Sequence, residues 1–77
     1  MYRIYFDTNE GDASGRYYLG IPGSLKDIAP IAHHLKDELR IVIYMSHELE
    51  MEAMLEWDER NNCWMARPVE GTLKYIE

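Results

Sequence analysis

Acidic side chains are the most concentrated chemical groups in this sequence. Six of the fourteen Asp and Glu residues lie between positions 48 and 59, in a stretch without Lys or Arg. Acidic and apolar residues alternate there, which is the period of a β-strand with one buried and one exposed face. An exposed row of carboxylates could attract a basic protein surface. The predicted binding residues of this acidic stripe are Glu50, Glu52, Glu56 and Asp58.

A second group of carboxylates lies in the polar segment 7–15, which is predicted to be a loop. Its oxygen ligands, of the kind that Ca²⁺ or Mg²⁺ prefers, are Asp7, Asn9, Glu10 and Asp12. The segment does not match the spacing of a helix–loop–helix calcium site. Counted from Asp7, Asp12 occupies the position of the required glycine and Tyr18 that of the final glutamate. A solvated loop explains the segment, and no metal site is predicted. A small metal-binding or enzymatic domain that uses loop 7–15 is kept as one alternative function.

Nucleophiles and bases occur without the partners that catalysis requires. Cys63 is the only cysteine, so neither a disulfide nor a C-x-x-C site can form within the chain. His33 and His34 are adjacent, and their side chains would point about 100° apart on a helix. The sequence contains no H-E-x-x-H motif. We therefore predict a protein that is not an enzyme and that carries no cofactor.

Arginine and tyrosine interleave in the first two predicted strands, Tyr2–Asp7 and Arg16–Ile21. The short loop between them predicts an antiparallel hairpin. One face of this hairpin would carry the candidate binding residues Arg3, Tyr5, Arg16 and Tyr18. Such a surface could bind a protein or, as an alternative, single-stranded nucleic acid. The net charge of −6 and the scattered basic residues disfavour nucleic acid.

Composition predicts one small domain over residues 1–77, since 47% of the residues are hydrophobic. The longest uninterrupted apolar runs have five residues, which is too short to span a bilayer. The N-terminus shows no secretory signal. A single cysteine fits a reducing compartment, so we expect the protein in the cytoplasm.

Helical periodicity follows Pro22-Gly23. The apolar positions that repeat every three or four residues are Leu25, Ile28, Ala32, Leu35 and Leu39. With Ser24 as the N-cap, Pro30 would fall inside the helix and kink it. With Asp27 as the N-cap, Pro30 would fall in the first turn, where its missing N–H costs little. We prefer Asp27.

Three further strands are predicted after the helix, at Arg40–Met45, along the acidic stripe and at Cys63–Arg67. Thr72–Ile76 is a candidate edge strand, although the sequence does not decide whether residues 69–77 form a strand, a helix or a tail. The order β-β-α-β-β-β predicts an α+β domain, an antiparallel sheet with one helix on a face. The alternative is a strongly curled sheet that approaches a small SH3-like barrel.

Two tryptophans are predicted to meet across the last hairpin. If its turn is centred between Arg60 and Asn61, Trp57 lies directly opposite Trp64. If that pair is in the core, replacing Trp57 with alanine would cost ~3–5 kcal/mol.

The N-terminal half resembles the start of the HicB-type antitoxins, which have two strands and a Pro-Gly corner like Tyr2–Phe6, Tyr17–Ile21 and Pro22-Gly23. That family places a third strand before its helix, whereas this chain continues directly into Ser24–Leu39, so membership is not inferred. The leading functional hypothesis is a small acidic, non-catalytic protein-interaction module. A more specific version of this hypothesis is an inhibitor or antitoxin-like protein that binds a basic protein.

Self-association is a further expectation. One helix about 10 Å wide covers only half of a five-stranded sheet that spans roughly 24 Å. The remaining apolar side chains must leave water, which requires either a curled sheet or a second subunit. We expect a homodimer rather than the curled monomer.

Overall fold

Alternating apolar residues form the strands of this chain, and one helical segment separates the second strand from the third. The computed structural model describes residues 1–76. Its elements are β1 (Arg3–Tyr5), β2 (Tyr17–Tyr18), α1 (Pro22–Ile28), a 3-10 helix (Ala29–His34), β3 (Arg40–Met45), β4 (Leu49–Asp58), β5 (Cys63–Pro68) and β6 (Lys74–Tyr75). The predicted α+β class and the order β-β-α-β-β-β are confirmed. Within the undecided tail, the residues of β6 form a short strand.

The six strands form one mixed sheet in the order β1-β3-β4-β5-β2, and β6 pairs with the start of β4. The predicted hairpin between the first two strands is wrong, because β1 pairs in parallel with β3 and β2 pairs antiparallel with β5. Loop 7–15 instead folds back on the start of β2, where the Tyr18 N–H donates to the Glu10 carbonyl over 2.8 Å. The segment from α1 to β3 then provides the crossover that a parallel pair needs.

The sheet curls into a half-barrel, so that its two edges approach each other. Phe6 follows β1 and its ring packs edge-on against Tyr17 of β2, with 4.9 Å between the ring centres. The radius of gyration of 11.4 Å equals the value of about 11.5 Å expected for a compact chain of this length. Curling therefore buries apolar side chains that one helix could not cover.

The core lies between the concave face of the sheet and α1. Alternate residues of β1, β3, β4 and β5 point into it, as the sequence pattern predicts. The buried apolar residues of this cluster are Ile4, Phe6, Leu19, Ile28, Ile41, Ile43, Ala53, Leu55 and Ala66. None of the helices within residues 1–76 has the length and apolar composition that crossing a bilayer requires.

The helix begins earlier than predicted. Ile21 is its N-cap and Pro22 occupies the first turn, where no N–H is needed. Asp27, the preferred cap in the sequence prediction, lies in the last turn of α1, so that prediction is wrong. Pro30 ends the α-helical part, because its ring nitrogen cannot donate, and the chain continues as the 3-10 helix.

Side chains of α1 close the open edge of β1. The Ser24 hydroxyl donates to the Tyr5 carbonyl, and the Tyr5 N–H donates to Asp27 Oδ2 over 2.9 Å. The Tyr44 hydroxyl donates to the same Asp27 oxygen over 2.6 Å, and this hydrogen bond raises the pKa of Tyr44. Gly23 allows the close approach, since a Cβ there would lie 2.6 Å from the Tyr5 ring. The backbone groups of Tyr5 are therefore not available for pairing with another strand.

Candidate functional site

The eight predicted binding residues lie on the outer face of the sheet, which is the face opposite the core. Strand β4 places the acidic stripe along the middle of this face. Arg3 and Tyr5 lie at one edge, on β1, whereas Arg16 and Tyr18 lie at the other edge, at β2. The hairpin that would have joined these two pairs does not form. The interleaved arginines and tyrosines are thus divided between two separate edges.

Each acid of the stripe forms an ion pair with an arginine. At the β1 edge, Arg3 Nη1 lies 2.6 Å from Glu50 Oε2, and the Arg3 guanidinium stacks 4.9 Å above the Tyr44 ring. On β3, Arg40 Nε lies 2.7 Å from Glu52 Oε1. The sheet therefore neutralises much of its own acidic stripe.

The strongest clustering of charge lies at the β2 edge. Arg16 contacts three carboxylates: Asp12 at 2.9 Å, Glu56 at 3.2 Å and Asp58 at 3.5 Å. Arg67 makes a forked contact with Glu56 at 2.7 and 3.3 Å. Met65 is fully buried although it lies on this outer face, between Tyr18 and Glu56 in the sheet register. The buried Met65 side chain is thus flanked across the sheet by a phenol on β2 and a carboxylate on β4.

Hydrogen bonds hold the carboxylates of this cluster in the ionised form. The Ser14 hydroxyl contributes most to lowering the pKa of Asp12, together with the Arg16 backbone and side chain. The Arg67 guanidinium lowers the pKa of Glu56, and the Asn61 side chain lowers that of Asp58. These acids are therefore poor proton donors near neutral pH.

Acid is expected to weaken the fold through this cluster. Because the folded state lowers the pKa values of Asp12, Glu56 and Asp58, the unfolded chain binds protons first as the pH falls. Stability should be fully present above about pH 5 and should decrease progressively down to about pH 2. Urea unfolding across this range measures the slope. Asp12→Asn keeps an oxygen acceptor and should flatten the slope, whereas an unchanged slope would contradict the assignment.

The β1 side of the stripe is expected to contribute little to stability. Replacing Glu50 and Glu52 together with glutamine should change the free energy of unfolding by less than ~1 kcal/mol, since their arginine partners are about half exposed. A urea melt of the double variant checks this. A loss above ~2 kcal/mol would show instead that these carboxylates act as a buried network.

The acidic loop uses its carboxylates to fix its own backbone. Asp7 Oδ1 accepts the Asn9 N–H over 2.8 Å, and Asp12 Oδ1 accepts the N–H groups of Ser14 and Arg16 at 3.0 Å each. Within residues 1–76, no group of three His, Cys, Asp or Glu side chains has a geometry that could hold a metal ion. The contacts that the loop makes are those of ordinary turns.

The thiol and imidazole groups lie outside this network. Burial raises the pKa of the Cys63 thiol, with a further contribution from the charge of Asp58, so the reactive thiolate is disfavoured. The His34 ring stacks on Tyr2, at 6.1 Å between ring centres, near the surface.

A groove at the turn end of the β4–β5 hairpin is the main feature that sequence reasoning missed. The predicted pair is confirmed: Trp57 lies opposite Trp64, with 5.2 Å and 75° between the rings. Trp57 is nevertheless 40% exposed and outside the core, so the large cost predicted for a core tryptophan does not apply. The groove has a volume of about 450 Å³. Its walls are formed by Glu10, Tyr18, Gly20, Ile21, Leu25, Trp57, Asn61, Asn62, Cys63 and Trp64.

Apolar and polar groups are segregated in this tryptophan groove. Leu25, on α1, is 51% exposed and contributes apolar surface beside the indoles. Glu10, Asn61 and Asn62 add one carboxylate and two amides, all from exposed loop positions. The backbone N–H of Trp57 donates to Asp37 Oδ1 over 2.7 Å, which fixes the end of β4 beside the groove. The arrangement is an apolar surface beside acidic and amide groups, as at many protein interfaces.

No protein-family model, no curated protein and no solved structure matches this chain. Its function therefore has to be inferred from its own geometry.

Proposed function

We propose that this protein is a non-catalytic interaction module that binds a basic protein, for example as an inhibitor or in an antitoxin-like role. The observation that carries the proposal is the tryptophan groove, where Trp57 and Leu25 leave 40% and 51% of their surface in water. Exposed indoles in a concave site are the residues that most often dominate binding energy at protein interfaces.

The groove is a better contact surface than the acidic stripe. The four stripe carboxylates already have arginine partners within the free protein. A basic partner would have to displace those arginines, and exchanging one ion pair for another gains little free energy. The groove presents no such competing contact, since Glu10 has no ion-pair partner among the residues described. Water displaced from its apolar wall contributes to binding directly.

The charge of the chain favours a basic partner. Four of its eight basic residues are engaged with carboxylates on the sheet, and the net charge is −6. Glu10, an exposed acid, lines the groove itself. Such a field speeds the encounter with a positively charged protein and weakens as salt is added. The single cysteine, Cys63, supports a cytoplasmic location for this interaction.

Affinity purification from the native cell, followed by quantitative mass spectrometry, tests the proposal. The wild type should retain a basic protein that is lost with Trp57→Ala and that is released by raising the salt concentration. The Glu50→Gln/Glu52→Gln double variant is the matched control and should retain the same protein. If the double variant loses the basic protein while Trp57→Ala retains it, the binding surface is the acidic stripe and not the groove. Circular dichroism of both variants verifies that they are folded.

Self-association is a separate expectation for the same chain. Exposed apolar side chains at the C-terminal strand, with Tyr75 at 73% exposure, form a surface at the other end of β4 from the groove that a second copy could bury. Light scattering after gel filtration should show a mass that rises above 9.1 kDa with concentration if a homodimer forms. A constant 9.1 kDa at all concentrations would eliminate the dimer and leave the curled monomer.

A further inference from the structure

We propose that the tryptophan groove binds an extended, basic peptide segment of the partner, with one aromatic or branched aliphatic side chain against the indoles and an adjacent Lys or Arg beside Glu10. This inference rests on the function proposed above and specifies its ligand.

The apolar part of the groove fits one inserted side chain. Trp57 and Trp64 meet at 75°, so the groove presents the face of one ring next to the edge of the other. Aromatic rings bind a third apolar group well in such a corner, because both stacked and edge-on contacts are available. Leu25 faces the same space from α1. The volume of about 450 Å³ suits a side chain and its flanking backbone rather than a large folded surface.

The polar part of the groove fits a peptide backbone with a cation beside it. Asn62 brings a side-chain amide, which can donate to a peptide carbonyl and accept from a peptide N–H, while Asn61 already donates to Asp58 Oδ2 over 2.8 Å and adds its amide oxygen as an acceptor. Glu10 lines the groove and makes no ion pair with the residues described, so a cationic side chain would find an uncompensated carboxylate there. The indole faces add attraction for the same cation.

The charge of the surroundings selects the sign of the ligand. Asp37 accepts the backbone N–H of Trp57, and Asp58, which follows Trp57 in the chain, is already paired with Arg16. The neighbouring cleft shares Tyr18 and Asn61 with the groove and contains Asp12 and Asp58, together with Arg16 and Arg60. Arg16 is occupied by its own carboxylates, and Arg60 is an exposed side chain that does not line the groove. A cationic side chain in the groove would therefore be attracted to Glu10, whereas an acidic one would be repelled by it.

Both tryptophans of the chain line the groove, so indole signals report on this site alone. The probes are three capped pentapeptides: Lys-Arg-Phe-Lys-Arg, the charge-matched Lys-Arg-Ser-Lys-Arg and the anchor-matched Glu-Glu-Phe-Glu-Glu. Titration is followed by the two indole N–H resonances in heteronuclear NMR spectra. The basic Phe peptide should shift both resonances saturably and bind at least tenfold more tightly than either control. Glu10→Gln, an exposed change, should reduce its affinity several-fold and weaken its salt dependence.

Three results would overturn the inference. They are equal binding of all three peptides, indole resonances that do not move, and an affinity unaffected by Glu10→Gln. Concentration-dependent indole shifts without any peptide would show that a second copy occupies the groove instead. If the partner from the native cell needs Trp57 but no peptide binds, the groove docks on a folded surface, and the inference fails while the proposed function stands. If that partner binds independently of Trp57, the proposed function itself fails.

Discussion

Replacing Phe6 with alanine is expected to remove most of the stability of this domain. The ring is fully buried and packs on Tyr17, so it joins the two edges of the half-barrel. Truncating a buried aromatic residue costs ~3–5 kcal/mol. A domain of this length has a total stability of roughly 4–11 kcal/mol. Urea or thermal unfolding should therefore show a variant that is largely unfolded or strongly destabilised at 37 °C.

Tyr2→Ala is the matched control for Phe6, since both residues belong to the same extended segment. Tyr2 is 36% exposed and contacts His34 at the surface, so its loss should cost well under half as much. Similar unfolding midpoints for the two variants would contradict the closure of the half-barrel through Phe6. Phe6→Leu should retain most of the stability, because it preserves apolar volume.

Replacing Asp27 with alanine is expected to cost ~2–3 kcal/mol, the second-largest effect. One carboxylate oxygen accepts both the Tyr5 N–H and the Tyr44 hydroxyl, at 2.9 and 2.6 Å. Alanine leaves both partly buried donors without their acceptor, and the Ser24 hydroxyl then remains as the only side-chain hydrogen bond from α1 to β1 among the residues described. Chemical denaturation of the purified variant measures the loss.

Two further variants separate the hydrogen bonds to Asp27. Tyr44→Phe removes one donor and leaves the Tyr5 contact, so it should cost about 1 kcal/mol. Asp27→Asn retains an oxygen acceptor and should fall between Tyr44→Phe and Asp27→Ala. If all three variants unfold at the wild-type midpoint, α1 does not depend on Asp27 for its attachment to β1.

Local pattern was sufficient to predict the C-terminal half of the fold. In β4 the alternation of acidic and apolar residues outweighs the helix propensity of Glu, Leu and Met, because only a strand places the apolar side chains on one face. A turn centred between Arg60 and Asn61 then fixes the register, and Trp57 pairs with Trp64 as predicted. A tight hairpin makes strand pairing a local property that neighbouring residues determine.

The pairing of β1 and β2 could not be predicted in the same way. Both strands are short, and both pair with strands that are distant in the sequence. Their partners depend on which combination buries the most apolar surface in the whole sheet. The start of the helix was misplaced for a related reason, because Ser24 and Asp27 use their side chains to bond β1 rather than to cap α1.

The structure places the predicted site residues on one face of the sheet. The arginine partners of the acidic residues could not be predicted from the sequence. Arg3 and Glu50 are 47 residues apart in the sequence. Only the sheet order brings them together, which is why the stripe looked unpaired in the sequence. The tryptophan groove has the same origin, since Leu25 of α1 meets the β4–β5 hairpin only in three dimensions. The tryptophan pair was the one sequence signal that pointed to this end of the molecule.

Hydroxyl-radical footprinting of the protein bound to its native partner tests the central claim most directly. Side-chain oxidation distinguishes the two candidate surfaces, because Trp57 reports on the groove while Met54 reports on the outer face of the sheet, opposite Arg40 and Arg67 in the register. We expect the partner to protect Trp57 strongly and to leave the oxidation rate of Met54 unchanged. Protection of Met54 with Trp57 still fully reactive would contradict the groove as the binding surface and would favour the acidic stripe.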